Sequence, residues 1–189
     1  MRRLLFGALS LLLAACTVNG DPGESSSGAA AMDEEVVMER VDSEEASFRI
    51  VRTVDSLEHP WAVDWLPDGR LLITERPGRL VLVEGGTKTV LSGVPEVWAE
   101  NQGGLLDVQV APNYEESGWI YFTYSKKEGD TGGTVLSRAK LDGTSLTDVE
   151  ELYQQTPFLA PDYHFGSRIA FADDGTVYVS MGERGQRRE

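Results

Sequence analysis

One pattern recurs down this chain and leaves few folds open. Asp64-Trp65-Leu66-Pro67-Asp68-Gly69-Arg70-Leu71-Leu72-Ile73-Thr74 is matched by Ile169-Ala170-Phe171-Ala172-Asp173-Asp174-Gly175-Thr176-Val177-Tyr178-Val179-Ser180. A looser copy lies between them, running from Val108-Gln109-Val110-Ala111-Pro112-Asn113-Tyr114 to Gly118-Trp119-Ile120-Tyr121-Phe122-Thr123. Each copy reads strand, Pro or Ala, an acidic or Asn turn, strand, and then a small hydroxyl residue. Pro67 and Pro112 are 45 residues apart, and Pro112 and Ala172 are 60 apart. That spacing suits four-stranded propeller blades joined by loops of different length.

Local chemistry agrees. Leu71-Leu72-Ile73-Thr74, Leu80-Val81-Leu82-Val83, Trp119 to Tyr124, Val135 to Arg138 and Val177 to Ser180 are short, β-branched or aromatic, and bounded by Gly, Pro, Asn or Asp. Asp68-Gly69 and Asp174-Gly175 suit hairpin turns that need positive φ. After residue 46 no long window carries a helical stripe, so the fold class is all-β. Propellers close from about four to eight blades, and residues 48–189 hold about two and a half. The chain is therefore expected to be the N-terminal part of a longer protein.

Three segments are expected. Residues 1–16 read as a lipoprotein signal peptide: Met1-Arg2-Arg3 is basic, Leu4 to Leu13 is apolar, and Leu13-Ala14-Ala15-Cys16 has the form of a lipobox. Cys16 is the only cysteine, so it has no intrachain disulfide partner, and several acyl chains on it would anchor the protein stably. Thr17, where an aspartate would favour the inner membrane, points to the outer membrane facing the periplasm, or to the cell surface in a bacterium with a single membrane. Residues 17–46 hold nine acidic residues against the single Arg40, with Ser25-Ser26-Ser27-Gly28 and an alanine run, and read as a disordered acidic tether. Residues 47–189 form the propeller part. The net charge of −14 and the lack of a basic stripe exclude nucleic acid as a partner, and leave the lipid anchor as the expected membrane attachment.

Three polar, glycine-flexed turns stand beside strands: Asn101-Gln102-Gly103-Gly104, Tyr163-His164-Phe165-Gly166 and Gly182-Glu183-Arg184-Gly185. They suggest one site assembled at one end of the β scaffold. His164 is the histidine with a chemical task to perform, since imidazole takes a proton near neutral pH. His59, beside Pro60 and Trp61, reads as a packing residue. Asp107, Asp173 and Asp174 do not form a calcium loop.

The runs from His59-Pro60-Trp61 to Ile73-Thr74-Glu75-Arg76, Gln102 to Val108, His164 to Ile169, and Gly182 to Arg187 resemble the soluble pyrroloquinoline quinone (PQQ)-dependent sugar dehydrogenases, nearest the aldose sugar dehydrogenase branch. The resemblance implies a six-bladed propeller with PQQ and calcium at its top face. It also implies oxidation of an aldose C1 hydroxyl to a lactone, with a quinone or cytochrome as electron acceptor. His164 matches the family's general base, with hydride passing to PQQ. Gln102 matches a glutamine beside the quinone and the sugar. Arg184 stands where the glucose dehydrogenases have glutamine, and either pairs with a PQQ carboxylate or quinone oxygen or caps its turn. The aspartate those enzymes carry directly before the histidine is here Tyr163, with Asp162 one place earlier; both are candidate sugar contacts. The calcium ligands are expected beyond Glu189. Two other functions fit a propeller: a metal-dependent lactonase-type hydrolase, which needs several carboxylates on the top loops, and a non-catalytic carbohydrate- or protein-binding module.

Overall fold

The repeated turns fold alike. In the computed structural model, which describes residues 35–185, Leu66 N–H donates to Arg70 O and Gly69 N–H back to Leu66 O. Ala172, Thr176 and Gly175 repeat those two bonds. Gly69 and Gly175 take φ of 86° and 83°, a region where a side chain is strained. Asp68 and Asp174 each accept the N–H two residues on, so the acid of each turn rigidifies it. In the middle copy the extra residues form one helical turn, α1 (Tyr114–Ser117), closed by Gly118 at φ 69°.

Around these turns the described residues form twelve strands. After a hairpin of β1 (Glu35–Asp42) and β2 (Ser47–Arg52) comes a four-stranded antiparallel meander, β3 (Pro60–Trp65), β4 (Leu71–Glu75), β5 (Arg79–Glu84) and β6 (Thr87–Val90). A second follows, β7 (Leu105–Val110), β8 (Trp119–Glu128), β9 (Thr131–Asp142) and β10 (Ser145–Gln154). The hairpin β11 (Gly166–Phe171) and β12 (Val177–Met181) begins a third. The described residues thus form two blades and half of a third of the propeller. Strand β7 packs against β3 on one side and β11 on the other. The main core lies between the first two blades, with Leu72, Leu80, Leu105, Val108, Ile120 and Phe122 all buried.

The hydroxyl ending each repeat has a structural task. Every inner strand carries a register irregularity near its start, between Pro60 and Ala62, Leu105 and Val108, and Gly166 and Ile169. A bulge leaves an N–H without its ladder partner. Thr74 Oγ1 accepts Ala62 N–H at 2.9 Å, Thr123 Oγ1 accepts Asp107 N–H at 3.0 Å, and Ser180 Oγ accepts Arg168 N–H at 2.9 Å. The two threonines also donate across the blade boundary, Thr74 to Leu106 O at 2.6 Å and Thr123 to Ser167 O at 2.9 Å. Asp107 adds a further tie from β7 to β11, accepting Ile169 N–H at 2.7 Å and Arg168 Nη1 at 3.0 Å.

One expectation is corrected. Residues 35–46, placed by composition in a disordered tether, form β1 and its turn. Val36, Met38 and Val41 pair with Val51, Ile50 and Phe48, and Glu35 bridges Arg52 at 2.6 Å. The nine acids over residues 17–46 lower the average enough to hide this short apolar alternation. Both faces of the hairpin are largely exposed. The signal segment, Cys16 and residues 17–34 lie outside the described residues, as do residues 186–189.

Candidate active site

The inner strands begin, and the second strands of each blade end, on the same face. There the sequence has its three flexed turns; the first two help wall a cleft of about 370 Å³ with Trp61, Arg76, Asn101, Gln102, His164 and Ser167 among its lining, and the third meets it through His164. His164 sits two residues before β11 and Glu183 two residues after β12. Because Gly166 pairs with Met181, those two positions face each other. The His164 ring meets Glu183 through Nδ1···Oε1 at 2.6 Å. Glu183 Oε1 also accepts Gly185 N–H at 3.1 Å. The His164 hydrogen bond is the main reason the Glu183 carboxyl titrates below its ordinary range. With Nδ1–H committed to a carboxylate, Nε2 is the nitrogen left to accept a proton.

Gln102 joins the same constellation, its Oε1 accepting the His164 backbone N–H at 2.8 Å. Fixing the amide oxygen leaves its NH₂ branch as the donor it offers to a ligand. Asn101 and Gln102 are bound to the neighbouring loop, Asn101 Nδ2 to Asp162 Oδ1 at 3.0 Å and Gln102 N–H to Asp162 O at 3.2 Å. Arg76 braces this loop through the carbonyls of Asn101 and Gly103. Gly182 leaves no room for a Cβ, which would run into the His164 carbonyl. Asn101, His164, Ser167 and Arg184 all take positive φ without being glycine. Three of these, Asn101, His164 and Ser167, lie on the cleft wall, where strained backbone holds a loop in the shape it presents.

Two site assignments from sequence change. Arg184 does not reach the cleft: it is fully buried, with Nε donating to Tyr163 O at 2.9 Å, Nη1 to Gly132 O at 2.8 Å and Nη2 to Pro161 O. Burial lowers its pKa, and its donors are spent on those backbone carbonyls. Asp162 and Tyr163 do not form part of the cleft wall. Asp162 holds Asn101, and the Tyr163 ring stands edge-on to His164 with centroids 4.8 Å apart. His59 is exposed, outside the wall, and its carbonyl accepts Arg76 N–H. Glu183 received no role from sequence, although its place opposite His164 across a hairpin was the available signal.

Among the described residues no group of three or more His, Cys, Asp or Glu is placed to hold a metal ion, so no calcium ligand is assigned here. The cleft does fit a flat, oxygen-rich quinone. Trp61 offers an apolar wall and Gln102 an amide donor, and Ser167 Oγ is buried without a protein partner.

Residues 57–189 match the glucose/sorbosone dehydrogenase family, and the chain belongs to it. The aldose sugar dehydrogenase YliI of Escherichia coli is 42% identical over 140 residues, covering 70% of this chain and 38% of the relative. The crystal structure of the soluble aldose sugar dehydrogenase of E. coli in its apo form superposes with a TM-score of 0.65 at 40% identity, covering 69% of this chain and 40% of that one. The PQQ-bound aldose sugar dehydrogenase of Streptomyces coelicolor gives 0.57 at 29% identity, with the same coverage. The chain thus spans about two fifths of the length of these relatives.

Proposed function

We propose that the protein carrying this chain oxidises the C1 hydroxyl of aldose sugars toward lactones with PQQ as cofactor, and that His164 is the general base. The observation that carries this reading is the hydrogen-bonded His164–Glu183 pair beside Gln102 on the cleft wall. When bound, PQQ supplies the two-electron hydride acceptor. His164 Nε2 takes the hydroxyl proton while Glu183 holds the ring through Nδ1–H and stabilises the imidazolium that forms. Gln102 donates from its amide to an oxygen of cofactor or sugar. Trp61 and Leu106 give the cleft its apolar lining.

The test gives the intact protein PQQ, calcium, a dye acceptor and a panel of aldoses. Dye reduction that requires both PQQ and sugar is expected. No turnover with PQQ bound overturns the reading, and lactone hydrolysis that needs metal alone replaces it. Calcium, the identity of the electron acceptor and anchoring through Cys16 belong to the same proposal. Cys16→Ser is expected to move the protein from the membrane fraction to the soluble one, and unchanged membrane association contradicts the anchor.

A further inference from the structure

Glu183 and Arg184 are neighbours on one turn, yet their side chains leave it in opposite directions. Glu183 stays exposed and meets the His164 ring, whereas Arg184, at φ 56°, turns into the protein and is fully buried. A buried guanidinium is costly unless its donors are satisfied. Here they are spent on backbone carbonyls of Tyr163, Pro161 and Gly132, with the cation 3.9 Å above the Phe165 ring. Two of those carbonyls lie within the three residues before His164, and the ring belongs to the residue after it. The third belongs to β9, where Gly132 also exchanges two backbone bonds with Leu159. Arg184 therefore fastens both sides of His164 to the second blade. A planar fork can hold three carbonyls at once, which a lysine ammonium on a flexible stem does not reproduce.

We infer that Arg184 is a positioning residue for His164: it fixes the backbone on either side of the histidine while Glu183, one residue earlier, fixes the ring. The inference rests on the reading of His164 as the base. Arg184→Lys keeps the charge and loses the fork. In the intact, PQQ-loaded protein it is expected to lower kcat by about 10- to 100-fold with the aldose KM nearly unchanged, since small misplacement of a reacting group costs that much. Glu183→Gln acts through the same ring, so the double variant is expected to fall well short of the product of the two single effects. Nitrogen NMR of the His164 imidazole is expected to show the proton on Nδ1 in the parent and a mixture of tautomers in Arg184→Lys. That spectrum needs no turnover, so a shifted tautomer in a protein inactive on every aldose would defeat the dehydrogenase reading and keep the positioning role. An unchanged tautomer, or strictly multiplicative losses in the double variant, would make Arg184 plain fold support and overturn the inference. Should Arg184→Lys not fold, Arg184→Gln, which keeps an amide donor, carries the same measurements.

Discussion

The floor of the site and its rim are built from similar polar groups, but they differ in burial, and that decides what each can do. Thr74 and Thr123 are fully buried, and each joins a bulged N–H of its own blade to a carbonyl of the next. Losing such a hydroxyl strands groups that water cannot reach. His164, Gln102 and Glu183 are exposed, so their bonds exchange with solvent and add little to stability. What they gain is access to a ligand. Stiffness thus comes from the floor, which leaves the rim free for the chemistry proposed for His164.

The comparison can be broken from either side. Thr123→Val should have the largest effect on stability, about 1–3 kcal/mol for each buried group left unpaired, read as a fall in Tm or denaturant midpoint. A loss within experimental error would mean that the bridges do not stiffen the floor. Gln102→Ala removes an exposed hydrogen bond and should cost about 0.5–1.5 kcal/mol, seen in kcat/KM with Tm nearly unchanged. A large drop in Tm instead would move Gln102 from rim to floor. Glu183→Gln should lower kcat at neutral pH. Because the folded carboxyl titrates below its ordinary value near 4.5, its contribution is complete above that value and is lost as pH falls through the lower folded one. Parent and variant Tm profiles should therefore converge in acid, and a constant gap at every pH would deny the charge a role.

The floor was legible in the sequence because it repeats. The hydroxyl at Thr74, Thr123 and Ser180 stood at one place in each copy, and the Asp-Gly turns announced their own geometry. The rim does not repeat, so His164 and Gln102 are singled out there by resemblance and by imidazole chemistry rather than by pattern, and the structure brings the two together on one cleft. For Arg184 the sequence left pairing with PQQ and capping of its turn both open, because a sequence shows a cation's charge and not its direction; a left-handed backbone at 184 turns it inward. Glu183 was overlooked because its importance comes from the β11–β12 register, which pairs it with a residue nineteen positions away. The β1 strand was hidden by charge averaged over its neighbours.

The most direct test of the central claim is a single turnover: the intact protein with PQQ bound, mixed with aldose in the absence of acceptor, with cofactor reduction followed by absorbance. His164→Ala should bind PQQ as the parent does and melt at nearly the same temperature, yet reduce the cofactor about 10²- to 10⁴-fold more slowly, the usual contribution of a general base. Reduction at the parental rate, or loss of PQQ binding in a folded variant, would contradict the account: the first removes His164 from proton transfer, and the second makes it a cofactor holder.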